Sequence, residues 1–156
     1  MTKAPSKRQM KSAARLYAVQ ALFQMEAGGQ TADAVREEFE THRFGEAFEE
    51  GEMVEGDVAH FRAVLDEAVN LQARIDQMTD RALVKKWPIA RIDPTLRALF
   101  RAAGAEILLR DTPPRVVISE FVDVAKAFFP DGREPKFVNA VLDHMAREAA
   151  PEAFSD

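Results

Sequence analysis

Two clusters of cations set among aromatic rings are the residues of this 156-residue chain best suited to chemistry. The first is Lys7, Arg8, Lys11 and Arg15, with Tyr17 and Phe23 further along. Lys7, Lys11 and Arg15 follow one another at intervals of four, which on a helix makes a single basic stripe. Each step rises about 6 Å, a spacing suited to the phosphates of an extended single strand. The second cluster is Lys126, Phe128, Phe129, Arg133, Lys136 and Phe137, around the loop before the last helical segment. Aromatic faces suit unpaired bases, on which RNA is generally read. The plainer alternative for each phenylalanine is a core contact. Asn139 stands three residues after Lys136, in the first turn of that segment, where its amide competes for backbone hydrogen bonds. It either holds a neighbouring loop or reads a base edge.

Other chemistries lack their signatures. There is no G-x-x-x-x-G-K-[ST] phosphate loop, no G-x-G-x-x-G and no G-x-S-x-G elbow. His42, His60 and His144 are far apart and unpaired at helical spacing, so no metal site is expected. The acidic run Glu46, Glu49, Glu50, Glu52, Glu55 and Asp57 lacks the calcium-loop pattern and reads as a solvated loop. With no cysteine there are no disulfides, thiolate metal sites or cysteine nucleophiles, which suits a reducing cytoplasm. The chain reads as a non-enzyme without a cofactor.

Hydrophobic residues at 47% and charged residues at 30% describe a globular domain rather than a disordered one. No run approaches the length of a membrane span, and no apolar core follows the N-terminal cations as a secretory signal requires. The net charge of −5 argues against nucleic acid, but its distribution reverses that impression. Residues 1–25 carry +5, residues 26–67 carry −10, and the rest balance. Such polarity marks a face for phosphate or for an oppositely charged partner. A solvated basic tail is the alternative.

The elements that must position these residues are helical. Ala14, Tyr17, Ala18, Ala21, Leu22 and Met25 follow helical spacing, predicting a helix from Lys7 to Glu26 that Gly28-Gly29 ends. A short second helix opens near Thr31, and residues 41–56 read as an acidic connection. From Asp57 a third helix of more than 20 residues runs to a break at Lys85-Lys86-Trp87-Pro88. Asp93-Pro94 starts the next, Pro113-Pro114 separates it from another, and the loop Phe129–Pro135 leads into the last. Val116-Val117-Ile118 is the one stretch where a strand is arguable, but it continues in helical period. The expectation is an all-α fold with little or no sheet.

Four segments together resemble the NusB transcription antitermination family. They are R-L-Y-A-V-Q-A-L-F (Arg15–Phe23), R-I-D-P-T-L-R-A-L-F-R-A-A (Arg91–Ala103), P-R-V-V-I-S-E-F-V-D-V-A-K (Pro114–Lys126) and K-F-V-N-A-V-L-D (Lys136–Asp143). The family pattern reads close to A-x-Q-A-L-[YF], a helix opening with R-A-x-x-R, V-x-I-N-E-A-V-x-L-A-K, and K-F-V-N-G-V-L-D. Order and spacing agree from Arg15 to Met145. The resemblance implies a single domain of six to seven helices in two packed three-helix groups, residues 1–84 and 85–156. It also implies binding of boxA-type RNA as a heterodimer with the small-subunit ribosomal protein NusE, within the RNA polymerase antitermination complex that transcribes ribosomal RNA operons.

By position, the implied RNA face is Lys7, Arg8, Lys11, Arg15, Phe23, Lys126, Phe128, Lys136, Phe137 and Asn139. The implied partner face lies on the helix from Pro94 to Arg110 and the one after it, with Arg101 and Glu106 as contacts. The chain departs from the pattern at Ser12-Ala13-Ala14, where arginines are usual, and at Ser119 for Asn, Phe121 for Ala and Ala140 for Gly. Its loop Phe129–Pro135 looks one residue longer. Two competing readings are a self-associating module that hides its RNA face in a homodimer, and an accessory domain of an RNA methyltransferase. Against the second stands the chain's end at Asp156 with no cofactor-binding half.

Overall fold

The computed structural model describes residues 6–42, 57–83 and 89–155. Lys3, most of the acidic connection (residues 43–56) and the break at Lys85–Pro88, where the two expected groups divide, lie outside the described residues. Seven α-helices carry the described chain: α1 Lys7–Gly28, α2 Ala32–His42, α3 Val58–Asn70, α4 Gln72–Ala82, α5 Pro94–Leu109, α6 Pro114–Phe128 and α7 Glu134–Ala149. No strand occurs among the described residues, and Val116–Ile118 lies within α6. None of the described helices is long and apolar enough to cross a membrane.

The helix ends follow the local chemistry. Ser6 caps α1 in a reciprocal box with Gln9, each side chain accepting from the other's backbone amide. At the far end Gly29 takes the left-handed conformation, φ 69°, and its amide donates to the Met25 carbonyl. Asp57 caps α3 through the His60 amide, and Asp93 caps α5 through the Thr95 amide ahead of Pro94. The single long helix expected after Asp57 is instead bent. Leu71 leaves helical geometry (φ −114°, ψ 23°), although its amide still donates to Glu67 and its carbonyl still accepts from Ile75. The bend lets α3 turn Phe61, Val64, Leu65 and Ala68 inward against α1 and α5, while α4 turns Ile75 and Met78 towards α5 and α7.

Helix α5 runs through the middle of the molecule, packed against α1, α3, α4, α6 and α7. Its residues from Ala98 to Ile107, except Arg101, are buried. A Cβ on Gly104 would stand 2.6 Å from Ile75 Cγ2 and 3.3 Å from Met145 Cε, so α4 and α7 approach α5 as closely as they do because this position has no side chain. Around this axis Phe39 stacks on Phe61 with centroids 5.8 Å apart, and Phe100 meets Phe137 edge-on at 5.9 Å.

The apolar interior contains an ion pair. Arg15 of α1 and Glu106 of α5 are 3% and 0% exposed, and two hydrogen bonds of 2.8 Å join them side by side. His60 of α3 brings Nε2 to 3.2 Å from Glu106 Oε1, close but poorly aligned for a hydrogen bond. Glu120 of α6 lies 3.5 Å from the other side of the guanidinium and accepts from Ser12 Oγ at 2.9 Å. Four helices thus meet at one charge cluster. Burial pushes the Glu106 carboxyl up, but its two hydrogen bonds to Arg15 and the charge of that guanidinium, with His60 close by, outweigh burial and hold it at about 2. Burial likewise works against the Arg15 charge, and Glu106 and Glu120 more than restore it.

Glu106 is depressed in the folded chain and ordinary, near 4.5, when unfolded. Its contribution to stability is therefore complete above about pH 4.5 and is lost as the pH falls towards 2. Glu106→Gln leaves the buried Arg15 with only the more distant Glu120 as counter-charge, at a cost of about 3 kcal/mol near neutral pH. By pH 3 the gap between parent and variant should narrow by about 2 kcal/mol in denaturant unfolding. A gap that does not change with pH would show that the carboxyl is not held in its charged form by the fold.

Candidate nucleic-acid interface

The first two turns of α1 and of α6 stand side by side and leave a groove of about 1140 Å³ between them. Lys7, Arg8, Lys11 and the largely buried Arg15 line it from α1, and Arg115, Ser119 and Glu120 from α6. Its lining also includes Met10, Val58 and Val116, the last an exposed apolar side chain. The Asp57 amide donates to the Met10 carbonyl at 2.9 Å and fastens the start of α3 at this end of α1. Lys7 and Lys11 are exposed and engage no acid among the described residues. Arg8 has only a loose pair with Glu120 at 3.8 Å, and that carboxylate already serves Ser12 and Arg15. Asp57 is occupied as a helix cap. The groove is therefore locally cationic on a chain whose net charge is −5.

A second, shallower depression of about 320 Å³ continues from it along α6. It shares Arg115 and Ser119 with the groove and adds Lys126 from α6 and Asn139 from α7. Lys126 is exposed, with a weak surface pair to Asp123 at 3.9 Å. Asn139 is exposed and its side chain makes no hydrogen bond among the described residues, which goes against the loop-holding role and leaves its amide bordering the depression. Lys136 is exposed on the same helix but lines neither hollow.

Several expected site residues are buried or held within the chain. Arg15 does not continue the basic stripe outward, because each four-residue step advances about 40° around a helix. Two steps carry it from the surface into the core, where it meets Glu106. For the same reason Glu106, fully buried, cannot touch a partner protein. The stretch of α5 from Ala102 to Ile107 is buried, while Pro94, Thr95, Arg97, Arg101, Leu108 and Leu109 keep some exposure. Arg101 is bound within the chain, side by side with Asp76 at 3.0 and 2.9 Å and to Glu26 at 3.0 Å. Glu26 also pairs with Arg97, whose hydrogen bonding outweighs the opposing effect of burial and holds that carboxyl below its ordinary value.

The phenylalanines divide. Phe137 is half-buried, with its ring edge against Phe100, which favours the core alternative. Phe23, 39% exposed, and Phe128 line a separate cleft of about 530 Å³ with Val19, Phe39 and Thr95. No residue of that cleft borders the cationic groove, as expected for Phe23, which stands about 160° around α1 from Lys7. Among the departures from the family pattern, Phe121 is buried core, Ala140 is exposed, and Ser119 lies in the groove itself. Arg115 is the residue that the sequence reading missed. Its spacing of four from Ser119 and eleven from Lys126 already placed all three on one face of α6. Among the described residues no three His, Cys, Asp or Glu side chains gather as a metal site.

Comparison with known proteins agrees with this architecture. The NusB family model matches residues 12–147. A transcription antitermination protein NusB from Maricaulis maris is 49% identical over 146 residues, covering 93% of this chain and 91% of its own. The crystal structure of NusB from T. maritima superposes with a TM-score of 0.70 at 29% identity, covering 98% of this chain and 99% of that one. A structure of the antitermination factors NusB and NusE in complex with dsRNA shares the fold, with a TM-score of 0.72 at 22% identity, covering 88% and 96%. The resemblance carried by the four sequence segments is thus borne out, and the chain belongs to the NusB family of transcription antitermination factors, which are regulatory proteins and not enzymes.

Proposed function

We propose that this NusB-family chain binds a single-stranded boxA-type RNA as a heterodimer with the ribosomal protein NusE, in support of processive transcription of ribosomal RNA operons. The observation that carries the RNA half is the groove between α1 and α6, in which Lys7, Arg8, Lys11 and Arg115 surround Met10, Val58 and Val116. Cations at the rim suit phosphates, and an apolar lining suits the faces of unpaired bases better than a paired duplex. Ser119, Lys126 and Asn139 extend the path, with Asn139 placed for a base edge. Support for the partner comes from the neighbouring fold that holds NusB with NusE and dsRNA, and from charge. An acidic body opposes the long-range approach of RNA, and a basic partner corrects the balance.

Arg15 belongs with the core, so the test of the arm uses the other three cations. Replacing Lys7, Arg8 and Lys11 together by Ala should leave unfolding unchanged and weaken RNA binding. Each phosphate contact on a single strand contributes about 0.7 to the salt slope, so the slope should fall by about 2. Unchanged affinity and slope in a folded variant would make the arm a solvated bystander.

Titrating the same RNA with the chain alone, and then with NusE present, should show tighter binding in the second case. Equal affinity in both would remove the heterodimer, and a chain that sediments as a dimer and dissociates on adding RNA would favour the self-associating alternative.

A further inference from the structure

Beyond α7 the chain turns into a short 3-10 helix, Pro151–Phe154, that lies past the last residue matched by the family model. Three arginines secure it. Arg110, in the left-handed conformation at φ 65°, pairs with Glu152 and donates to the Ala149 carbonyl at 3.4 Å. Arg147 places Cζ 4.5 Å from the centre of the Phe154 ring, and Arg115 places Cζ 4.8 Å from the same centre. Ala150, at the root of the turn, is fully buried.

The two arginines on Phe154 differ in charge balance. Arg147 is neutralised by Asp143 at 2.8 Å. Arg115 has no acid within ion-pair distance among the described residues. It lies where the groove and the shallower depression meet, and it borders both. A guanidinium over an aromatic ring is held in place without a carboxylate, so its charge and its five N–H donors stay available to an anion.

We infer that Phe154 is a positioning residue for RNA: the C-terminal turn places its ring under Arg115 and fixes that cation, un-neutralised, at the junction of the two hollows for a backbone phosphate. This inference rests on the reading of the groove as the RNA site. Ordering a long side chain before binding removes the entropy that it would otherwise lose on contact.

The test is a double-substitution cycle in the full chain, read by binding of a single-stranded boxA-type RNA across a salt series, with melting curves to confirm folding. Arg115→Ala should lower affinity roughly tenfold, as for a lost charged hydrogen bond, and reduce the salt slope by about 0.7. Phe154→Leu keeps an apolar side chain but no ring quadrupole, and should lower affinity about two- to fivefold. Phe154→Tyr should bind like the parent. The double variant Arg115→Ala with Phe154→Leu should bind no more weakly than Arg115→Ala alone. A Phe154→Leu chain with parental affinity, or losses that multiply in the double variant, would overturn the positioning role and leave the groove intact. An Arg115→Ala chain with parental affinity would instead overturn the groove reading itself.

Discussion

The Arg15–Glu106 pair is the constraint on which the rest of the arrangement depends. A buried arginine must have its carboxylate, and this one lies on the central helix, so α1 can be neither rotated nor shifted along its axis without leaving a charge unpaired. Fixing α1 in rotation decides which of its cations reach water. Arg15 points inward, and Lys7 and Lys11, about two turns and one turn earlier, face the groove. Glu120 adds α6 to the same cluster through Arg15 and Ser12, which sets the two walls of the groove side by side. One charge cluster thus orders the interior and shapes the cationic surface.

Most of the fold was legible in the sequence because a helix packed on one face leaves its period in the apolar residues. The caps at Asp57 and Asp93, the stop at Gly29 and the separation at Pro113-Pro114 all stand where their side-chain chemistry placed them. The bend at Leu71 was not legible. Both halves continue one apolar stripe, and the residues at the bend, Val69-Asn70-Leu71-Gln72, include neither glycine nor proline to mark it. The burial of Arg15 and Glu106 was not legible for a different reason. Periodicity separates polar from apolar residues but cannot tell a solvated ion from one paired in the core. A signal did exist: Glu106 stands alone in the run Ala102–Ile107, and Arg15 sits between Ala14 and Leu16-Tyr17. Lone charges of opposite sign inside two apolar stripes are what a buried pair looks like before folding.

The cationic site itself was half legible. Lys7, Arg8 and Lys11 were visible because no acid interrupts them, and Lys126 and Asn139 because of the family segments. That two separate clusters would meet through Arg115 and Ser119 required the packing of α6 beside α1 and α7. The same packing turns Phe23 and Phe128 into another cleft and gives the Phe137 ring to the core. A −10 segment next to a basic arm accounts for a chain that is acidic in sum and cationic where it counts.

In the proposed complex RNA lies along α1 and α6. The most direct measurement is a backbone amide chemical-shift map of the labelled full chain during titration with a single-stranded boxA-type RNA. Changes should concentrate at Lys7–Lys11 and Arg115–Ser119 and extend to Lys126 and Asn139, with α2 and the exposed face of α4 around Arg74 unaffected. Changes centred on α2 or α4, with the groove residues silent, would contradict it.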